Sequence, residues 1–327
     1  MILAAAIAAL LLQQSPAPGP GAPPQAAPAK LPPALATQVM LDRAGFSPGA
    51  LDGRMGPNTK RALALFEKNK GNPSEAVEPV RQYTITDADA QGPFQPIPED
   101  MVQKSKLPAL GYASVLEALA ERFHATPKLL QQLNPGATFE PGTTVLVPNV
   151  EPLILPAEQI VFARPQPKDK RAPAAAGTSG QNPMATITAR PDVVITVKAS
   201  TSDLTVQDAS GRVLMYAPVT TGSEHDPLPI GEWKVNGLQF NPKFHYNPDL
   251  FWDADPAHSK AIVPPGPNNP VGIVWIDITK EHYGIHGTPE PETIGRTQSH
   301  GCVRLTNWDA LKLAGVVKPG TRVVFER

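Results

Sequence analysis

Gly284-Ile285-His286-Gly287-Thr288, followed by Ser299-His300-Gly301-Cys302-Val303-Arg304-Leu305, is the stretch on which the reading of this chain turns. In an extended segment alternate side chains share a face. His300, Cys302 and Arg304 are therefore expected on one side, with Val303 and Leu305 packed on the other. Gly301 has no Cβ, which leaves room beside the thiol for another backbone or a substrate carbonyl. Cys302 is the single cysteine of the chain and makes no intramolecular disulfide. Such a residue either fills a core as a small hydrophobe or is kept for chemistry. With Arg304, His286 and His300 as neighbours, its thiol pKa is expected to be depressed. An unperturbed thiol is only about 3% ionised at neutral pH. An imidazole base thus raises the thiolate fraction by no more than roughly thirtyfold, and acyl transfer also needs oxyanion donors, worth about two to three orders of magnitude each. The backbone N–H groups of Gly301 and Cys302 are the candidates. His286, His300 and Cys302 also number three possible zinc ligands, but no acidic partner stands nearby to complete a hydrolytic site, and no metal is expected.

Around this stretch the composition is that of one sizeable, mostly β core. Val193–Val197, Leu204–Gln207, Val213–Val219, Gly231–Val235, Gly272–Ile278 and Thr321–Phe325 read as strands split by turn residues. All four tryptophans lie here, at 233, 252, 275 and 308. Thr306 with Asp309 has capping-box spacing for a helix to about Ala314. The proline-rich loop 264–270 reads equally as a loop overhanging a cleft and as a plain connector.

Further upstream, Leu35, Val39, Met40 and Leu41 recur at helical spacing, and a second helix opens at Gly56-Pro57-Asn58-Thr59 and runs through Phe66. Val115–Phe123 and Pro127–Leu133 give another helix pair, broken by Asn134-Pro135-Gly136 and followed by the strand Thr143–Val147. Tyr83–Thr86 is the candidate partner strand, displaced by an insertion.

These motifs carry three resemblances. The Cys-centred stretch, with Ile294-Gly295-Arg296, Pro229-Ile230-Gly231-Glu232-Trp233, Gly266–Gly272, Asp309-Ala310, Leu313-Ala314 and Gly320-Thr321, is similar to the L,D-transpeptidase (YkuD-type) catalytic domain. Asp52–Thr59 with Ala62 and Phe66 resembles a small helical peptidoglycan-binding domain. Residues 82–149 resemble a LysM-like module carrying an insertion. The expected architecture is multidomain: a mainly β catalytic domain of YkuD-type β-sandwich fold at 191–327, a Pro-rich linker at 150–190, the βααβ LysM-like module, the helical domain at 34–72, a Pro/Ala linker at 18–33 and a signal peptide at 1–17. The resemblance implies an acyl-enzyme cycle without cofactor. Cys302 attacks the carbonyl at the L-centre of diaminopimelate in a donor stem, and His286 takes the thiol proton and returns it to the departing D-alanine. The Gly287 carbonyl orients the imidazole, His300 and Gly301 shape the oxyanion pocket, and Arg304, Ser299 and Thr288 bind substrate. An amine acceptor then resolves the thioester, forming a three-to-three cross-link, while water would give an L,D-carboxypeptidase. The rivals are an NlpC-like thiol endopeptidase, which ordinarily has the Cys before the His in chain order, and a non-catalytic wall-binding protein.

Bulk properties agree with such a role. Lys and Arg number 29 against 30 Asp and Glu, which gives no electrostatic grip on nucleic acid. The forty prolines crowd near the start and around 148–191, as stiff spacers between folded units. Ile2–Leu12 is an unbroken apolar run, short of the about 20 residues a bilayer span needs but suited to a secretory signal. Export to the periplasm or cell wall is expected, with peptidoglycan stems and glycan strands as partners and only a transient passage of the membrane by the signal.

Overall fold

The computed structural model describes residues 31–69, 77–156, 160–163, 190–255 and 257–327. The signal-peptide expectation and most of the 150–190 linker fall outside these residues. Among them, no helix is long and apolar enough to cross a membrane.

The C-terminal part is mainly β, as expected. Its strands are β4 (Val193–Lys198), β5 (Asp203–Asp208), β6 (Val213–Pro218), β7 (Gly231–Phe240), β10 (Val274–Ile278), β11 (Gly284–His286), β12 (Val303–Arg304) and β13 (Arg322–Glu326). They lie in the order β12-β11-β10-β7-β13-β4-β5-β6, and β3 (Ile160–Ala163) adds to β7. Alternation does the sorting. Val193, Ile195, Val197, Leu204 and Val206 point into one core, shared with Ile285, Val303 and Leu305. α6 (Asn307–Val316) lays Trp308, Leu313 and Ala314 against the same core.

The long strand β7 joins the two parts of this mainly β domain. Its first residues, Gly231–Lys234, pair with β13. From Val235 onward it pairs instead with β10. A strand that changes partners midway must bend, and the sheet curls with it. The curl brings the far edges together, for the Thr220 amide donates to the Arg304 carbonyl (3.1 Å) and the Arg304 amide returns a bond to the Thr220 carbonyl (2.9 Å). The strands thereby form two parts that share β7, one with β13, β4, β5 and β6 and the other with β10, β11 and β12, closed on each other at the catalytic motif. The capping expectation is also modified. Thr306 accepts from the Asp309 amide, but the Asp309 carboxylate takes the Thr306 and Ser47 hydroxyls (2.8 and 2.7 Å) rather than a backbone N–H.

Upstream, α1 (Leu35–Arg43) and α2 (Pro57–Lys68) precede β1 (Val80–Thr84), α3 (Met101–Lys104), α4 (Val115–Arg122), α5 (Pro127–Leu133) and β2 (Thr144–Pro148). β1 and β2 pair antiparallel, Val80 opposite Pro148 through Thr84 opposite Thr144. α4 and α5 begin at Ser114 and Thr126, whose side-chain oxygens accept from Glu117 and Leu129 amides, the capping that a serine or threonine ahead of an apolar run dictates. Leu35, Val39 and Leu51 lie in the same apolar cluster as Leu119, Phe123, Leu129 and Val145. The rest of the first helix pair (Met40, Leu41, Phe46, Ala62 and Phe66) closes over Tyr216 of β6. The upstream elements are thus built onto the β core.

The segment between β1 and α4, read above as an insertion, has a definite place. Ile97, Met101, Leu107 and Leu110 pack on Tyr246 and Val263. These belong to β8 (Phe244–Tyr246) and β9 (Ala261–Val263), a hairpin beside the catalytic motif. Loop 264–270 is held by hydrogen bonds. It docks on the insertion, where the Leu110 amide donates to the Pro265 carbonyl (2.9 Å) and the Asn268 side chain donates to the Gly111 carbonyl and Glu117 (2.8 and 2.7 Å).

Candidate active site

β11 and β12 run parallel, with Ile285 opposite Val303 and His286 opposite Arg304. Ile285 and Val303 are both fully buried in the core, so His286, Arg304 and, one alternation back, Cys302 share the opposite face. Strand spacing and rise separate the Cα atoms of diagonal residues such as His286 and Cys302 by about 8 Å.

His286 is 4% exposed. Its Nδ1 lies 2.6 Å from the Gly287 carbonyl. A carbonyl only accepts, so Nδ1 carries the proton and Nε2 presents a lone pair. The ring stacks on Trp275, its cross-strand partner in β10 (centroids 5.4 Å, planes 20° apart). Burial, and then the charge of Arg304, push its pKa down to about 3, against the pull of the Gly287 bond. His286 is therefore a neutral imidazole.

Cys302 is half-buried, and its Sγ lies 3.9 Å from the His282 carbonyl. The structure corrects the expected low thiol pKa. Burial pushes it up, and the Gly284 backbone and the Arg304 charge only partly offset this. Desolvation outweighs neighbouring charge, so the resting pair is a thiol and a neutral imidazole. The room at Gly301 is used by a side chain: at φ +97° its Cα faces the Tyr283 ring, and a Cβ would come within 2.4 Å of Tyr283 Cε1.

The other anticipated residues occupy defined positions. Ser299, 3% exposed, donates its hydroxyl to the Cys302 carbonyl (2.6 Å), and its amide donates to the Thr221 carbonyl (2.9 Å). Thr288 accepts from the Glu290 amide (3.3 Å). His300 places Nε2 2.8 Å from Asp253, leaves Nδ1 buried without a partner, and sits against the rings of Phe251 and Trp252 (5.0 and 5.9 Å). Arg304 is half-buried, burial lowers its pKa, and its Nε is buried without a hydrogen-bond partner. Among the described residues no three His, Cys, Asp or Glu side chains converge as a metal-ligand set.

Trp275, Tyr283, the His282 carbonyl and Asp253 were missed by sequence reasoning. Asp253 and Trp275 lie on a loop and a strand that meet the motif only in the fold, and His282 and Tyr283, though they directly precede Gly284, carry no local pattern that marks them.

The arrangement has known counterparts. Residues 192–325 match the model of the L,D-transpeptidase catalytic domain, YkuD. The chain is 30% identical over 135 residues to the putative L,D-transpeptidase YkuD of Bacillus subtilis, covering 41% of this chain and 65% of that protein. It thus spans just under two thirds of that relative's length. To the putative L,D-transpeptidase YqjB of the same organism it is 30% identical over 151 residues, 45% of this chain and 75% of the relative. A solved L,D-transpeptidase from Mycobacterium smegmatis aligns at 21% identity and TM-score 0.34, covering 42% of this chain and 59% of the other. With a buried histidine and a lone cysteine on one face of its paired strands, and three quarters of a curated relative aligned, the chain belongs to the YkuD family of L,D-transpeptidase catalytic domains.

Proposed function

We propose that this protein is an exported L,D-transpeptidase that acts on peptidoglycan stem peptides through a thioester on Cys302. The observation that carries the reading is the parallel register of β11 and β12, with His286 locked as the Nδ1–H tautomer by the Gly287 carbonyl. Nε2 takes the thiol proton as sulfur attacks the carbonyl at the L-centre of the donor stem. The tetrahedral oxyanion is met by backbone N–H groups near Gly301 and Cys302, with His300 shaping that pocket. The proton then passes to the departing D-alanine, and an acceptor amine resolves the thioester into a three-to-three cross-link or another amide. Water in place of the amine makes the same site an L,D-carboxypeptidase.

Arg304 supports a carboxylate-bearing substrate. It is a partly desolvated cation with a donor unspent, on the same face as the thiol, and such a group gains most from an anionic partner. Ser299 and Thr288 hold the loop that frames it. The upstream elements fit a wall-binding role: a cleft of about 190 Å³ between the Asp52–Thr59 loop, α5 and residues 291–296 is lined by Asp52, Arg54, Lys128 and Arg296. Glycan strands are the polymer they would hold.

The test is product analysis by mass spectrometry with tetrapeptide donors and an amine acceptor. Wild type is expected to release D-alanine and form cross-linked or exchanged product, and Cys302→Ala to form neither. Stems shortened without release of D-alanine would identify an endopeptidase instead, and unchanged stems a binding protein. An intact-mass adduct of a carbapenem on wild type and none on Cys302→Ala is the second expected outcome.

A further inference from the structure

α4 lies outside the matched domain, yet one of its side chains reaches under the support of the catalytic histidine. Asn307, the first residue of α6, has a fully engaged carboxamide. Nδ2 donates to Glu121 Oε1 (2.5 Å) and to the Pro267 carbonyl (3.1 Å), and Oδ1 accepts from the Ile273 amide (3.2 Å). The same carboxamide presses on two glycines. A Cβ at Gly287 would lie 2.1 Å from Asn307 Oδ1, and a Cβ at Gly272 would lie 2.0 Å from it and 2.7 Å from the Gly287 carbonyl carbon. Gly272, Gly287 and the amide therefore interlock, and the Gly287 peptide has no room to rotate while the amide stays. Gly287 supplies the carbonyl that accepts from His286 Nδ1.

Glu121 is 9% exposed, and among the described residues no cation forms a salt bridge with it; its partners are Asn307 and the Tyr112 hydroxyl. A buried carboxylate with no cation beside it is costly, and the charge of Glu117 adds to that cost. Burial raises its pKa to about 8, so the group is chiefly a neutral hydrogen-bonding arm. Without it, Asn307 Nδ2 keeps only the Pro267 carbonyl, and the carboxamide is free to turn away from Ile273 and Gly287.

We propose that Glu121 is a positioning residue for the catalytic histidine, fixing through Asn307 the Gly287 peptide whose carbonyl sets the tautomer and ring angle of His286. This rests on the reading of His286 as the base for Cys302. It gives the upstream part of the chain a role in the chemistry itself, besides any role in holding the cell wall.

The experiment follows Cys302 alkylation by iodoacetamide on the full chain, by intact mass across pH, with kcat and KM for a tetrapeptide donor and a melting curve for each variant. Glu121→Ala is expected to slow alkylation near neutral pH and to lower kcat about tenfold, the effect of roughly one pKa unit in the base, with KM changed less than about twofold. Glu121→Gln, which keeps an oxygen facing Asn307 Nδ2, is expected to restore both rates. Asn307→Asp, which sets a second carboxyl against Glu121, is expected to lose what Glu121→Ala loses, and it decides the matter should Glu121→Ala fail to fold. A wild-type alkylation rate and pH profile in Glu121→Ala, or in a folded Asn307→Asp, overturns the proposal, as does a Glu121→Gln variant as slow as Glu121→Ala. His286→Ala separates the two readings. If it alkylates as fast as wild type, the base assignment itself falls; if it is slow and Glu121→Ala is not, only the positioning role falls.

Discussion

Cys302 and His286 are both neutral at rest, because burial acts on them in opposite directions. It lifts the thiol pKa and lowers that of the imidazole. On the proposed mechanism the thiol proton therefore leaves as sulfur attacks, in a site that would stabilise developing charge more than resting charge. The buried imidazole also sets a stability window. Its pKa falls from 6.5 to about 3 on folding, so between these values the unfolded chain binds a proton that the folded chain refuses. That contribution is fully present above 6.5 and is lost as pH falls toward 3. His286→Gln is expected to flatten the acid limb of a pH–denaturation curve. Gly301 gives a second residue-scale prediction. Gly301→Ala combines a positive φ with a Cβ 2.4 Å from Tyr283 and is expected to cost on the order of 1–3 kcal/mol, read from the urea midpoint. The sequence marked this glycine as making room; that the room is filled by Tyr283 depends on where the 281–284 turn lies.

At the scale of elements, the insertion between β1 and α4 braces the β8–β9 hairpin. Asp100, just ahead of α3, holds His258 Nε2 at 2.7 Å, and His258 Nδ1 lies 3.0 Å from the Tyr246 hydroxyl. Phe251, which packs on the same cluster, also touches the His300 ring. The brace thus ends at the mouth of the candidate site. His258→Ala is expected to raise amide hydrogen exchange in Phe244–Tyr246 and Ala261–Val263 while leaving β4 and β5 unchanged. Equal exchange in both proteins would mean that apolar packing alone holds the hairpin. Periodicity and capping residues made the helices and most of the strands legible. β8, β9 and β11 escaped because three-residue strands have no period to read.

Across the whole molecule, charged and apolar groups are buried where the upstream elements meet the β core. Asp42 receives both His124 (2.9 Å) and Lys312 (3.0 Å); burial alone would raise its pKa, but these two partners hold it well below the carboxylate range. His124 stacks on Trp308 (4.9 Å, 8°). A chain reduced to residues 190–327 would uncover Tyr216 and Trp308, each 1% exposed in the full fold, at about 1.5–3 kcal/mol per large apolar side chain. It is expected to melt lower than the full chain and to bind a hydrophobic dye. Glu121 sets the opposite pH limb. Its pKa rises from 4.5 to about 8 on folding, so in that interval the folded chain keeps a proton that the unfolded chain has released. Stability present below 4.5 is lost as pH climbs through about 8, and Glu121→Gln is expected to remove that slope.

What the sequence determined by itself is local: the glycine-flanked His286 and Cys302, the alternating strands, the serine and threonine caps, and the family these spell out. Each rests on neighbours within a few positions, where chain geometry leaves little choice. The tertiary structure alone decided that the sheet curls shut at Thr220 and Arg304, that the thiol is harder rather than easier to ionise, and that Glu121 stands behind Asn307. Strand neighbours, desolvation and buried contacts depend on residues as far apart as 121 and 307, and a linear pattern carries no term for who is packed against whom.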